Sequence, residues 1–176
     1  MTDPRLDLIR SKIRDVPDFP KPGILFKDIT PVLADPAAFA ACLDLIEERY
    51  QGTSIDAIMG IESRGFVFGA ALAARMQKAF IPARKPGKLP WQTVKVAYEL
   101  EYGTDSLEVH SDAITPGKRV LLVDDLIATG GTAWAATELV RRLGAEVVGA
   151  AFVIELTFLG GAERLKPVEA FSLLQY

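Results

Sequence analysis

Hydrophobic residues along this chain follow two rhythms. Short apolar runs at Ile55 to Met59, Ala79 to Ala83, Val120 to Val123, Val147 to Ile154 and Phe171 to Tyr176 read as strands, and the uninterrupted ones as strands covered on both faces. Between and before them the spacing turns helical. Leu6, Ile9 and Ile13 share one face, as do Phe39, Leu43 and Ile46, and further helices are predicted over Phe66 to Met76 and from the Ala128–Thr132 stretch to about Leu143. Asp3-Pro4 and Asp35-Pro36 supply a cap and a first-turn proline, while Gly144 stops the last of these helices behind Arg141 and Arg142. Phe19 to Pro31 carries too many prolines for a helix and reads as an ordered loop. Val94, Val96 and Tyr98 alternate with polar neighbours, as do Leu107 and Val109, which predicts a β-hairpin turning at Tyr102 to Asp105. Strands alternating with helices predict an α/β fold, a mostly parallel sheet flanked by helices.

At 176 residues the chain has room for one such domain, 1–176, with residues 1–34 as an N-terminal arm and 84–110 as a hairpin lid. A net charge of -3 argues against nucleic acid as the main ligand, because no basic stripe is available to displace counterions. Cys42 is the only cysteine, so no internal disulfide forms and a reducing, cytoplasmic setting is expected. Asp3, Arg5, Asp7 and Arg10 break up the N-terminus, which lacks the apolar centre of a signal peptide, and no apolar run reaches membrane-spanning length.

The chemistry concentrates where strands empty into glycine-containing turns. Val-Leu-Leu-Val-Asp-Asp-Leu-Ile-Ala-Thr-Gly-Gly-Thr, from Val120 to Thr132, places two acids at a strand end and a Gly-rich helix start just beyond. Free N–H groups at such a start attract an anion. Adjacent carboxylates would repel a bare phosphate, unless they accept from sugar hydroxyls or face a divalent cation; a phosphorylated ribose meets both needs. There is no Walker lysine and no G-x-G-x-x-G. Gly60-Ile61-Glu62-Ser63-Arg64-Gly65 repeats the strand-turn-helix arrangement with an arginine suited to pyrophosphate oxygens. Arg84, Lys85 and Lys88 gather three cations in one proline-containing loop. His110, the only histidine, has no acid or nucleophile near it in sequence and reads as structural.

Acidic pair followed by Thr-Gly-Gly-Thr resembles the 5-phosphoribosyl-1-pyrophosphate (PRPP) motif of type I phosphoribosyltransferases. Phe19 to Pro31, Ile61 to Phe66, Arg84 to Pro90 and Leu100 to Gly103 extend the likeness to the adenine phosphoribosyltransferases over nearly the whole chain. The resemblance implies their Rossmann-like fold with a small hood, magnesium as cofactor, a homodimer, and purine salvage: adenine and PRPP giving AMP and pyrophosphate. Similar enzymes for hypoxanthine or guanine carry aspartate just before the Thr-Gly; here Ala128 stands, so proton handling at the purine is implied for Glu101. The catalytic candidates are therefore Glu101 and Arg64.

By the same resemblance, Ala128, Thr129, Gly130, Gly131 and Thr132 hold the 5′-phosphate, and Asp124 and Asp125 the ribose hydroxyls. Magnesium is carried mainly by PRPP oxygens, with Asp124 or Asp125 as possible protein ligands. Arg64 and the backbone of Glu62 and Ser63 meet pyrophosphate, joined by Arg84, Lys85 and Lys88, and Tyr102 packs on the closing hairpin. Phe26 and Leu156 sandwich adenine, whose amino group is read by the backbone of Leu25 and Lys27. A non-proline cis peptide is implied at Glu62-Ser63. The competing readings are a phosphoribosyltransferase for another base and a non-catalytic PRPP-sensing regulator.

Overall fold

The computed structural model describes residues 3–100 and 103–176. The chain forms two compact units, one through Tyr50 and one from Gln51 onward. In the first, helix α1 (Pro4–Ser11) starts at Asp3, whose side chain accepts from the Arg5 amide, and helix α3 (Pro36–Arg49) starts at Asp35, which accepts from the amides of Ala37 and Ala38. Both predicted cap-and-proline starts are present. Ile9, Val32, Ala38, Cys42 and Ile46 are fully buried in this unit, and Arg5 bridges Asp3 and Glu48. Burial pushes the Cys42 thiol up to about 12, so it sits among the apolar side chains as a small hydrophobe.

The expected loop from Phe19 to Pro31 is more regular than its prolines suggest. Strands β1 (Arg14–Pro17) and β2 (Leu25–Asp28) pair antiparallel, and a short helix α2 (Thr30–Ala34) follows. Pro31 lies in the first turn of α2, where a missing N–H breaks no helical bond. Asp28 starts that turn by accepting from the amide and hydroxyl of Thr30.

The second unit is built on five parallel strands: β3 (Ala57–Ile61), β4 (Ala79–Ala83), β7 (Arg119–Ile127), β8 (Glu146–Glu155) and β9 (Ala170–Gln175), in the spatial order β4-β3-β7-β8-β9. Helix α4 (Gly65–Met76) joins β3 to β4, and helix α5 (Gly131–Arg142) joins β7 to β8. Met59, Leu122 and Phe152 point into a core shared with Ala136, Leu139 and Val140 of α5. Residues one step along face the other way, so that Gly60 lies against Gly69 of α4.

An antiparallel pair, β5 (Thr93–Leu100) and β6 (Gly103–His110), leaves the sheet between β4 and β7. Its inward side chains, Val96, Tyr98, Leu107 and Val109, are buried against the α5 face. The hairpin registers Leu100 opposite Gly103. Thr104 and Asp105, expected in the turn, are therefore strand residues, and residues 101 and 102 lie outside those described.

Strand β7 is longer than its apolar run. It continues through Asp124 and Asp125 to Ile127, because β8 runs beside it until Glu155 and keeps its backbone groups paired. Both acids are thus held by strand geometry, short of the strand end where the sequence places them.

Close approach of α4 to β7 depends on Gly65. A Cβ there would come within 2.7 Å of the Val123 carbonyl oxygen and 2.8 Å of Asp124 Oδ1. Gly65→Ala is expected to destabilise the protein by about 1 to 3 kcal/mol through overpacking, read as a lower midpoint in urea unfolding. An unchanged midpoint would show that the helix shifts at no cost.

Candidate functional site

Parallel pairing lays the carboxyl end of β3 along the second half of β7, with Gly60 opposite Val123. Their two strand-turn-helix connections then share one crevice, the position where open α/β sheets bind ligands. A cavity of about 300 Å³ lies there, lined by Glu62 to Arg64, Lys85 and the whole stretch from Asp124 to Ala133. Two of the segments predicted from sequence, and one cation of the third, line a single space.

At the start of α5 the chain turns through Gly130, whose φ of 77° is left-handed and favours glycine. No side chain caps the helix; Thr132 does not serve as its cap. The first-turn N–H groups are thus left without a side-chain acceptor, in a turn whose partial positive charge favours an anion. Behind this loop runs another backbone. A Cβ on Gly130 would fall 2.4 Å from the Gly161 carbonyl oxygen, and one on Gly161 would fall 2.2 Å from that of Ala128. Gly161 belongs to the 3-10 turns that follow β8, and it braces the anion loop by backbone contact alone. The sequence displays Gly160-Gly161, but a glycine pair after a strand reads equally well as a plain exit turn.

The acids are unequal. Asp125 is buried and accepts from Arg64 Nε at 2.5 Å, while Asp124 Oδ1 accepts from the Asp125 amide at 2.9 Å. Burial first, and then the neighbouring Asp125 charge, pushes the Asp124 carboxyl well above the usual carboxylate range, despite an opposing pull from Arg64. Such a pair is suited to sugar hydroxyls, which donate to it, or to a cation. Among the described residues no three His, Cys, Asp or Glu side chains gather into a metal site.

Arg64 occupies the N-cap position of α4, just after the Glu62-Ser63 peptide, which is cis. The Glu62 carboxylate is turned to a different task. It accepts from the Lys85 amide at 2.7 Å and from Arg84 Nε and Nη2, each at 3.3 Å, anchoring the cationic loop after β4. Burial acts to raise its pKa, but these donors prevail and hold it below the ordinary glutamate value. Arg84 is committed further: its Nη1 donates to the Lys88 carbonyl oxygen, and its backbone pairs with Glu108 of β6. Lys85 lines the cavity; Arg84 and Lys88 do not.

Lys85 is held by two groups that the motifs leave out. Its Nζ donates to Tyr98 Oη at 2.9 Å and to Asp105 Oδ2. Alternation marks Tyr98 as an inward residue, yet nothing in the sequence pairs it with Lys85, because the contact joins a loop to a strand thirteen residues on.

Leu25, Phe26 and Lys27 make up most of β2 in the N-terminal unit. Phe26 meets Phe19 edge to face at 5.1 Å, and Lys27 Nζ reaches Asp15 Oδ1 at 2.6 Å. Leu156 follows β8, and its amide donates to Ile127 at the end of β7, fixing it beside the crevice. Glu101 and Tyr102 lie outside the described residues.

Residues 28–172 match the phosphoribosyl transferase domain family. Adenine phosphoribosyltransferase of Acidobacterium capsulatum is 57% identical over 168 residues, covering 96% of this chain and 93% of that protein. The crystal structure of adenine phosphoribosyltransferase from Thermoanaerobacter pseudethanolicus superposes with a TM-score of 0.95 at 51% identity, covering 97% of this chain and 99% of that one. That of the Saccharomyces cerevisiae enzyme, complexed with an imino-altritol bisphosphate and adenine, gives 0.92 at 42% identity over the same shares. Sequence and overall fold agree with these relatives along nearly their full length, and the chain belongs to the adenine phosphoribosyltransferases of the phosphoribosyltransferase family.

Proposed function

We propose that the chain transfers the phosphoribosyl group of PRPP to adenine, forming AMP and pyrophosphate for purine salvage. The observation that carries this reading is the single crevice in which an uncapped Gly-rich helix start, a carboxyl pair and the cations Arg64 and Lys85 stand together. Each matches one part of PRPP: the 5′-phosphate, the ribose hydroxyls and the pyrophosphate.

In the proposed reaction adenine N9 attacks ribose C1′ as the bond to pyrophosphate oxygen breaks. Negative charge grows on the leaving group while the ribose becomes oxocarbenium-like. Fixed donors aimed at the departing oxygens favour that charge separation, a role this reading gives to Arg64 and Lys85, which line the crevice. Backbone N–H groups of Ala128 to Thr132 hold the 5′-phosphate, and Asp124 and Asp125 accept from the ribose hydroxyls. Glu101, brought by the hairpin, manages the proton at the purine, a task closed to Ala128. Phe26 and Leu156 cover the faces of adenine, and backbone groups of Leu25 and Lys27 read its amino group. Arg84 and Lys88 join the pyrophosphate side, with Tyr102 on the hairpin.

The carboxyl pair fits magnesium carried by PRPP oxygens, since Asp124 and Asp125 set two acidic groups side by side in the lining of the crevice, where a divalent cation offsets them. When bound, that ion neutralises part of the pyrophosphate charge. Residues 1–176 acting as one domain, in a cytoplasmic homodimer, complete the reading; the single buried Cys42 suits a reducing compartment. No helix among the described residues is long and apolar enough to cross a membrane.

The direct test measures pyrophosphate release from PRPP and magnesium with adenine, hypoxanthine, guanine, xanthine and orotate in turn. Adenine alone should support rapid turnover; activity with hypoxanthine and none with adenine would overturn the assignment. Glu101→Gln should lower kcat by about a hundred- to ten-thousand-fold while calorimetry still detects PRPP binding. A PRPP-binding regulator would bind equally well and have no turnover to lose.

Asp124→Asn should separate stability from function. Because the folded state holds this proton more tightly than the unfolded chain, wild-type stability falls as pH rises from the ordinary aspartate range through the raised titration. Asparagine bears no such proton. Its stability advantage should therefore grow with pH across that window, by up to about 1.4 kcal/mol per pH unit, while PRPP binding weakens. Urea unfolding between pH 4 and pH 8 reads the first effect and calorimetry the second; equal stability at every pH would refute it.

A further inference from the structure

Tyr98 Oη stands where three segments meet. It accepts from Lys85 Nζ at 2.9 Å and from Thr132 Oγ1 at 3.2 Å, and it donates to Asp105 Oδ2 at 3.1 Å. A phenol has one donor and two acceptor sites, so these contacts use it fully. Tyr98 is only 4% exposed, and its ring lies beneath the ammonium, 5.5 Å from Nζ to centroid. Asp105 is fixed in turn: Oδ2 also accepts from Lys85, and Oδ1 accepts from the Ser106 amide at 2.7 Å.

The consequence for Lys85 is directional. A lysine stem is flexible, and fixing it normally costs rotamer entropy at the moment of binding. Here Tyr98 and Asp105 occupy two of its three N–H donors in advance, leaving the third for an anion in the cavity it lines. The same phenol holds the hydroxyl of Thr132 at the helix start.

We propose that Tyr98 is a positioning residue for PRPP: its hydroxyl sets the Lys85 ammonium on the pyrophosphate side and ties it to Thr132 on the 5′-phosphate side, fixing the separation of the groups that meet the two ends of the ligand. This rests on the PRPP reading above. Asp105 completes the clamp from the neighbouring strand.

Tyr98→Phe keeps the buried ring and deletes only the hydroxyl. It should raise KM for PRPP about tenfold, as expected for losing a hydrogen bond to a charged group, and leave KM for adenine at saturating PRPP within about twofold. Lys85→Met should also raise KM for PRPP. The deciding measurement is the double variant, whose KM for PRPP should fall well short of the product of the two single effects, since the hydroxyl keeps Thr132 but has no ammonium left to position. Multiplying effects, or a Tyr98→Phe enzyme indistinguishable from wild type, would overturn the proposal. Should Tyr98→Phe fail to fold by circular dichroism, Asp105→Asn enters the same cycle, where its effect on KM for PRPP must vanish beside Lys85→Met. Wild-type protein that gives no heat with PRPP and magnesium would sink the PRPP reading itself; wild-type binding with an independent cycle would sink only the role of Tyr98.

Discussion

Hydrogen bonding between parallel strands β3 and β7 decides where every charged group of the crevice can stand. With Ala57 opposite Val120 and Gly60 opposite Val123, β3 ends one residue past the last of these pairs while β7 runs on to Ile127, and both turns open onto the one crevice. A one-residue slip would reverse the facing of every side chain on the slipped strand, turning Gly60 away from α4 and bringing a bulky neighbour against Gly69. The glycines at 60, 65 and 69 leave room for α4 to lie almost on the sheet backbone. That closeness carries Arg64, at the head of α4, to the Asp125 carboxylate.

A common pattern runs through the cations of the crevice and the loop beside it. Arg64 is met by Asp125, Arg84 by Glu62 and Lys85 by Asp105. Each pair is partly open to water, so its worth to folding is small, and its larger effect is to hold a long side chain near one orientation. An arriving polyanion competes for guanidinium and ammonium groups that are already roughly aimed, so less ordering remains to be done on binding. The acids remain in place behind them, which limits how far the cations can follow a departing product.

The sheet and much of the crevice were legible in the sequence because they rest on local signals. Ala79 to Ala83 is bounded as predicted, and Asp3 and Asp35 cap the helices that follow them, since apolar runs and cap residues act over a few positions. Misreadings occurred where a distant partner decides. Asp124 and Asp125 stay in β7 because β8 pairs with them from the far side of α5, and Leu25–Asp28 is a strand because Arg14–Pro17 lies beside it. Glu62 lines the crevice, and its carboxylate serves Arg84 and Lys85, partners that only the folded chain brings near. Tyr98 and Asp105 carry no motif, and their link to Lys85 is purely three-dimensional.

The contact between Gly130 and Gly161 reaches beyond local packing. Two stretches of main chain from opposite sides of β8 touch with no side chain between them, so neither position can accept even a methyl group unless the other stretch retreats. Divergence of the segment that begins at Leu156, proposed above to cover the purine, is therefore tethered to the loop proposed to hold the 5′-phosphate. A designer who wished to widen the enzyme's choice of base would have to rebuild both stretches together, and a lineage drifting toward a new base would face the same coupled step.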